Sequence, residues 1–132
     1  MTQISINKYL TDLTTIIDEV SPQDAYAMQK RGAYIVDIRT TSEIMTGFPE
    51  NALTIPRDHM EFEMSAAFSS ETHIILICAA GKRSLLAAKS LHDMGFKKIY
   101  SIQGGYENWR CQSLPSSFPK EHLIDYYQHE ES

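Results

Sequence analysis

Hydrophobic and polar positions along this chain alternate between a helical and an extended rhythm, with turn residues between them. The pattern predicts a helix over about Ile4–Thr14 and a short strand over Ile16–Val20. In SPQDAYAMQKRG, Ser21 reads as an N-cap, Pro22 as the first helical residue and Gly32 as the stop. AYIVDI (33–38) reads as a strand, and TSEIMTG (41–47) as a short helix halted by Gly47. ALTIP (52–56) is a short strand cut off by Pro56, and RDHMEFEMSAAF (57–68) is helical. HIILIC (73–78) shows no polar alternation, the mark of a strand covered on both faces. SLLAAKSLHDMG (84–95) sets Ser84, Ala87, Ala88, Leu91 and Met94 on one helical face, with Gly95 as the stop. KKIYSI (97–102) is a further strand, GGYENWR (104–110) a tight turn feeding a short helix, and KEHLIDYYQ (120–128) a last peripheral helix.

Strands alternating with helices over short connections predict an α/β domain around a central, mostly parallel sheet. The expected organisation is an N-terminal helical extension over 1–15, the main domain over 16–114 and a C-terminal tail over 115–132.

Composition narrows the function classes. With 42% hydrophobic and 22% charged residues in 132, the chain suits one soluble globular domain. Its 17 acidic against 12 basic side chains give a net charge of −5, without the basic cluster a nucleic-acid partner requires. No stretch approaches the length of a membrane helix, and MTQISINKYL lacks the features of a signal peptide. Neither nucleic acid nor membrane is expected as a partner. Two cysteines, Cys78 and Cys111, are too few for a disulfide scaffold and fit a reducing cytoplasm. The five histidines are scattered and no Cys/His spacing suits zinc, so neither a metal nor another cofactor is expected.

One stretch carries chemistry. IILICAAGKRSLLAAKSL (74–91) runs a buried strand into Cys78, then a small-residue loop, then a helix that opens at Ser84. Sites in open α/β sheets form beyond the carboxyl ends of strands. A helix N-terminus presents unpaired N–H groups and partial positive charge, which favour a facing sulfur as thiolate. Ala79, Ala80 and Gly81 let the backbone curl its N–H groups inward, and Lys82 and Arg83 add full charges. The chemistry implied is a thiolate nucleophile meeting an anionic substrate. The competing account is a small buried core residue, since free cysteine is often inert filler.

These residues resemble the rhodanese-like domain family. CAAGKRS is similar to its C-x-x-G-x-R-S loop, and IVDIRTTSEIMTG to its V-D-[VI]-R-x-x-x-E-[YF]-x-x-G. ALTIP stands where the family has A-x-N-I-P, and IQGGYENW where it has L-x-G-G-x-x-x-W. The resemblance spans about residues 16–111 and implies a small sulfurtransferase fold, its sheet flanked by helices on both faces. It assigns Cys78 as the carrier of a persulfide, with a thiosulfate-like anion as donor. Cyanide or a thiol would be the acceptor, and a sulfur-carrier protein is compatible with that role. Ala79, Ala80, Gly81, Lys82, Arg83 and Ser84 would bind the donor, the two cations forming its electropositive wall. Asp37 and Arg39 match the D-x-R pair and read as an ion pair propping the site. Glu43 is expected to cap or pair locally, with Arg39 as a partner. Trp109 reads as a core anchor, and Cys111 as an incidental thiol rather than a resolving one. The rival readings are a noncatalytic partner-binding module and a cysteine phosphatase. Phosphatases use C-x5-R, whereas Cys78 to Arg83 is C-x4-R. The family's G-H-I-P-G-A becomes GFPENA (47–52), which predicts altered turn geometry there.

Overall fold

The computed structural model describes residues 2–119. The helix expected over 120–128 lies outside them. Along the chain run α1 (Ile6–Leu13), β1 (Asp18–Val20), α2 (Pro22–Lys30), β2 (Tyr34–Asp37), α3 (Thr41–Ile44), β3 (Phe48–Pro49) and β4 (Leu53–Thr54). A 3-10 turn (Arg57–His59) leads into α4 (Met60–Ala67), followed by β5 (Ile74–Ile77), α5 (Lys82–Asp93), β6 (Ile99–Ile102), α6 (Gly105–Cys111) and β7 (Ser116–Ser117).

Local chemistry starts the early helices where the sequence predicts. Ser5, Ser21 and Thr40 cap α1, α2 and α3 by accepting from the N–H groups of Lys8, Asp24 and Glu43. Thr40 and Glu43 form a reciprocal capping box.

Five strands pair in the order β1-β6-β5-β2-β4, all parallel. β5 sits at the centre, and its alternate residues face opposite layers. Ile74, Leu76 and Cys78 join the core formed with α1, α4 and α5, which includes Leu13, Met60, Met64 and Leu91. Ile75 and Ile77 face the other layer, with Ala25 of α2 and Tyr106 and Trp109 of α6. The crossovers β1–α2–β2 and β5–α5–β6 run in opposite directions across the sheet. Right-handed connections therefore place α2 and α5 on opposite faces. The helix-flanked parallel sheet agrees with the sequence reading.

Three local expectations change. Residues 48–49 pair antiparallel with 116–117, a ribbon too short to carry a periodic signal. Met94 is exposed, because the helix ends beneath it and the core face stops at Leu91. α5 begins at Lys82, not at Ser84.

Candidate active site

Cys78 follows the central strand, and the loop after it is tied down from behind. Tyr106 N–H donates to the Cys78 carbonyl at 2.8 Å, and Glu107 N–H to the Ala79 carbonyl at 3.1 Å. Both donors belong to the first turn of α6, which otherwise leaves its N–H groups without partners. Gly105 permits this approach: a Cβ there would stand 2.6 Å from the Ala79 carbonyl group. With its carbonyls held by α6, the loop turns other N–H groups toward the sulfur.

Cys78 Sγ accepts from Gly81 N–H at 3.2 Å and from Ser84 N–H at 3.3 Å. Gly81 caps α5 with a left-handed φ of 98°, a conformation that suits residues lacking a Cβ. Because α5 starts at Lys82, its N-terminus lies closer to the sulfur in sequence than the pattern predicts. Side-chain capping signals are absent at Gly81, so the start was invisible to a search for Ser, Thr, Asp or Asn. Ser84 Oγ completes the surroundings at 3.4 Å from Sγ and is itself 2.7 Å from Ser101 Oγ. Sequence reasoning missed Ser101, which carries no motif signal and reaches the site only through the β5–β6 pairing.

Cys78 is enclosed, with 1% of its surface exposed. Ala79 lines a hollow of about 330 Å³ walled by Arg39, Ser42, Glu43, Tyr106 and Arg110. Ala80, Gly81 and Lys82 line a second hollow of about 370 Å³, with Asn7, Thr11 and Gln103 among its walls. Of the two loop cations, Lys82 lines the second of these hollows.

Arg83 is occupied. Its guanidinium makes a two-pronged ion pair with Glu43, at 2.9 and 2.8 Å. That corrects the local Glu43–Arg39 pairing expected from sequence: the partner lies 40 positions away and is brought in by folding. Arg39 reaches only the Glu43 main-chain carbonyl, at 3.5 Å. The Arg83 hydrogen bonds, helped by the Thr40 cap, hold the Glu43 carboxyl down at about 2. Glu43 in turn raises Arg83, and the charge of Cys78 adds in the same direction.

Asp37 and Arg39 meet as predicted, fully inside the protein. Asp37 accepts from Arg39 Nε at 3.0 Å, Nη2 at 2.9 Å and the main-chain N–H at 3.1 Å. Burial, the larger influence, pushes the Asp37 carboxyl above its ordinary value, and the Arg39 donors pull it back. Arg39 also donates to the Gly47 carbonyl at 2.6 Å and lies 4.3 Å from the Tyr106 ring centre. The pair therefore braces the turn after α3 against α6.

Trp109 is buried, and its indole N–H donates to the Pro115 carbonyl at 2.9 Å. Cys111 is an exposed free thiol. Among the described residues no group of three or more His, Cys, Asp or Glu could hold a metal. None of their helices is long and apolar enough to cross a membrane.

A parallel sheet whose central strand delivers a cysteine to main-chain N–H donors at a helix start defines a cysteine-loop α/β domain. The chain matches the model of the Rhodanese-like domain over residues 21–112 and belongs to that family. It is 34% identical over 98 residues to the Haemophilus influenzae thiosulfate sulfurtransferase GlpE, covering 74% of this chain and 91% of that one. A Rhodopseudomonas palustris structure, of a protein of unknown function described as a possible tyrosine phosphatase, superposes with a TM-score of 0.76. It is 31% identical, with 89% of this chain and 99% of that one covered. The polysulfide-sulfur transferase homodimer of Wolinella succinogenes gives a TM-score of 0.73 at 25% identity, covering 87% of this chain and 88% of that one.

Proposed function

We propose that this protein is a rhodanese-type thiosulfate:acceptor sulfurtransferase carrying the transferred sulfur on Cys78. The observation that carries the reading is the sulfur of Cys78 facing the N–H groups of Gly81 and Ser84 in a loop held by α6. The relatives named thiosulfate sulfurtransferase support it. The Cys78 thiolate attacks the outer sulfur of thiosulfate, whose S–S bond breaks and whose electron pair departs with sulfite. The persulfide left on Cys78 holds one negative charge on its outer sulfur, which main-chain N–H groups of the loop favour. Cyanide or a thiolate, borne by a small molecule or a protein, then attacks that outer sulfur and restores the Cys78 thiolate. No metal or organic cofactor takes part in these steps. A reducing cytoplasm, which keeps the thiol free, belongs to the same proposal.

Ala79, Ala80, Gly81, Lys82, Arg83 and Ser84 form the donor-binding loop in this reading, with Asp37 and Arg39 supporting it. The C-x4-R spacing makes a ring one residue shorter than the phosphatase C-x5-R, suited to a sulfur atom rather than a tetrahedral phosphate. Intact mass after incubation with thiosulfate tests the proposal: one sulfur atom, about 32 Da, should be gained and should be absent in Cys78→Ser. If thiosulfate and other sulfane donors leave the mass unchanged, the noncatalytic binding module is correct instead.

A further inference from the structure

The two buried hydroxyls behind Cys78 have no part in the chemistry above, yet their geometry leaves few ways to place their protons. Ser84 Oγ lies 3.4 Å from Cys78 Sγ, 3.3 Å from the Gly81 carbonyl and 2.7 Å from Ser101 Oγ. Both serines are wholly buried. Ser101 stands on β6 in register with Leu76 of β5, and its hydroxyl meets only Ser84 Oγ among the described residues. If Ser84 donated to Ser101, the Ser101 proton would be buried without an acceptor, a costly arrangement. Ser101 therefore donates to Ser84. The single Ser84 proton is then left with two acceptors, the Gly81 carbonyl and the sulfur.

We propose that Ser101 is a positioning residue that pins Ser84 Oγ, so that the Ser84 hydroxyl follows the charge on Cys78. With the sulfur as thiol, S–H donates to Ser84 Oγ and the Ser84 proton goes to the Gly81 carbonyl. With the sulfur as thiolate, it can only accept. The Ser84 O–H turns onto it as a third donor beside the N–H groups of Gly81 and Ser84. Ser101 keeps donating in both states. The exchange favours the thiolate because hydrogen bonds to ionised acceptors are about twice as strong as neutral ones. The outer sulfur acquired later moves negative charge away from Sγ, and the Ser84 proton can return to Gly81.

Other charges also act on this sulfur. Arg83 and Lys82 lie on α5, Glu43 on α3, and the Asp37–Arg39 pair at the end of β2; Glu107 and Arg110 lie on α6. Exchanging one neutral serine for alanine changes none of them, so a shift on Ser101→Ala comes through the hydroxyls.

The proposal rests on Cys78 being the reacting thiol. It is tested by titrating thiolate ultraviolet absorbance, with Cys78→Ser subtracted, and by following sulfur gain from thiosulfate against pH. Ser101→Ala should move the Cys78 midpoint up by roughly half a pH unit. It should also slow sulfur gain about threefold at neutral pH, with KM unchanged and the loss recovered at higher pH. On a Ser84→Ala background the same change should do nothing further, because the relay is already cut. Ser101→Thr should restore the wild-type midpoint. An unmoved midpoint with a lowered melting temperature overturns the proposal, as does an equal shift on the Ser84→Ala background. The double-mutant comparison decides the matter whether or not the threonine variant folds. Absence of sulfur gain in the unaltered protein would instead remove the sulfurtransferase reading, and the absorbance titration would still judge the hydroxyl pair.

Discussion

Replacing Gly105 with alanine should release the loop that cradles Cys78. Gly105 has a left-handed φ of 59°, and an added Cβ would lie 2.6 Å from the carbonyl carbon and oxygen of Ala79, and closer still to the Cys78 carbonyl oxygen. Ordinary contact begins at 3.4 Å, so loop and helix must part by about 1 Å to clear the nearest of these atoms. The Tyr106–Cys78 and Glu107–Ala79 hydrogen bonds, at 2.8 and 3.1 Å, do not survive that displacement. Their loss costs about 1 kcal/mol each. The left-handed conformation adds about 1 kcal/mol for a residue with a Cβ. The total of about 3 kcal/mol lowers the melting temperature by roughly 10 °C in a domain of this size. Gly95→Ala is the control, because its φ is 99° but nothing lies within 4 Å of its Cβ. It should lose only the conformational part, about 1 kcal/mol. Thermal melting followed by circular dichroism reads the stabilities, and intact mass after thiosulfate reads the site. The Gly105 variant should lose sulfur gain even below its melting transition, while the Gly95 variant keeps it. If Gly105→Ala melted within about 2 °C of the parent and gained sulfur normally, the account of α6 as the clamp of this loop would be wrong.

Three further outcomes follow from the charged groups. Asp37→Asn strands the buried Arg39 guanidinium, which is 4% exposed, and should cost about 3 kcal/mol in urea unfolding. Asp12→Asn breaks the exposed Lys8 pair and should stay within about 0.5 kcal/mol. Glu43 is held at about 2 in the folded chain against 4.5 in the unfolded one. Its pair with Arg83 therefore stabilises fully above pH 4.5 and loses that contribution as pH falls toward 2. For this half-exposed pair the loss amounts to about 1 kcal/mol after screening. Glu43→Gln should remove that part of the acid limb from a stability–pH curve while keeping the Thr40 cap. An unchanged limb would show that the pair does not hold in solution.

Much of this protein was legible because its signals are local. The cap at Ser21, the unbroken apolar run of β5 and the glycine stops mark elements whose energetics lie within a few neighbouring residues. The parallel sheet followed from that alternation, and Cys78 at a strand end before a helix marked the candidate site. Asp37 and Arg39 were readable as a pair because they match the D-x-R of the resembled family. What folding alone decided are the long-range encounters. Arg83 met Glu43 from across the chain. Ser101 came under Ser84 only through strand pairing. Gly105 became indispensable only because α6 presses on the carbonyls of Cys78 and Ala79. Sequence periodicity records which face of an element is buried, whereas hydrogen bonds reaching a few ångströms between distant residues depend on how the faces are stacked. The sulfur was therefore findable from the chain alone, and the atoms that hold it were settled by the packing of α5, α6 and β6 around it.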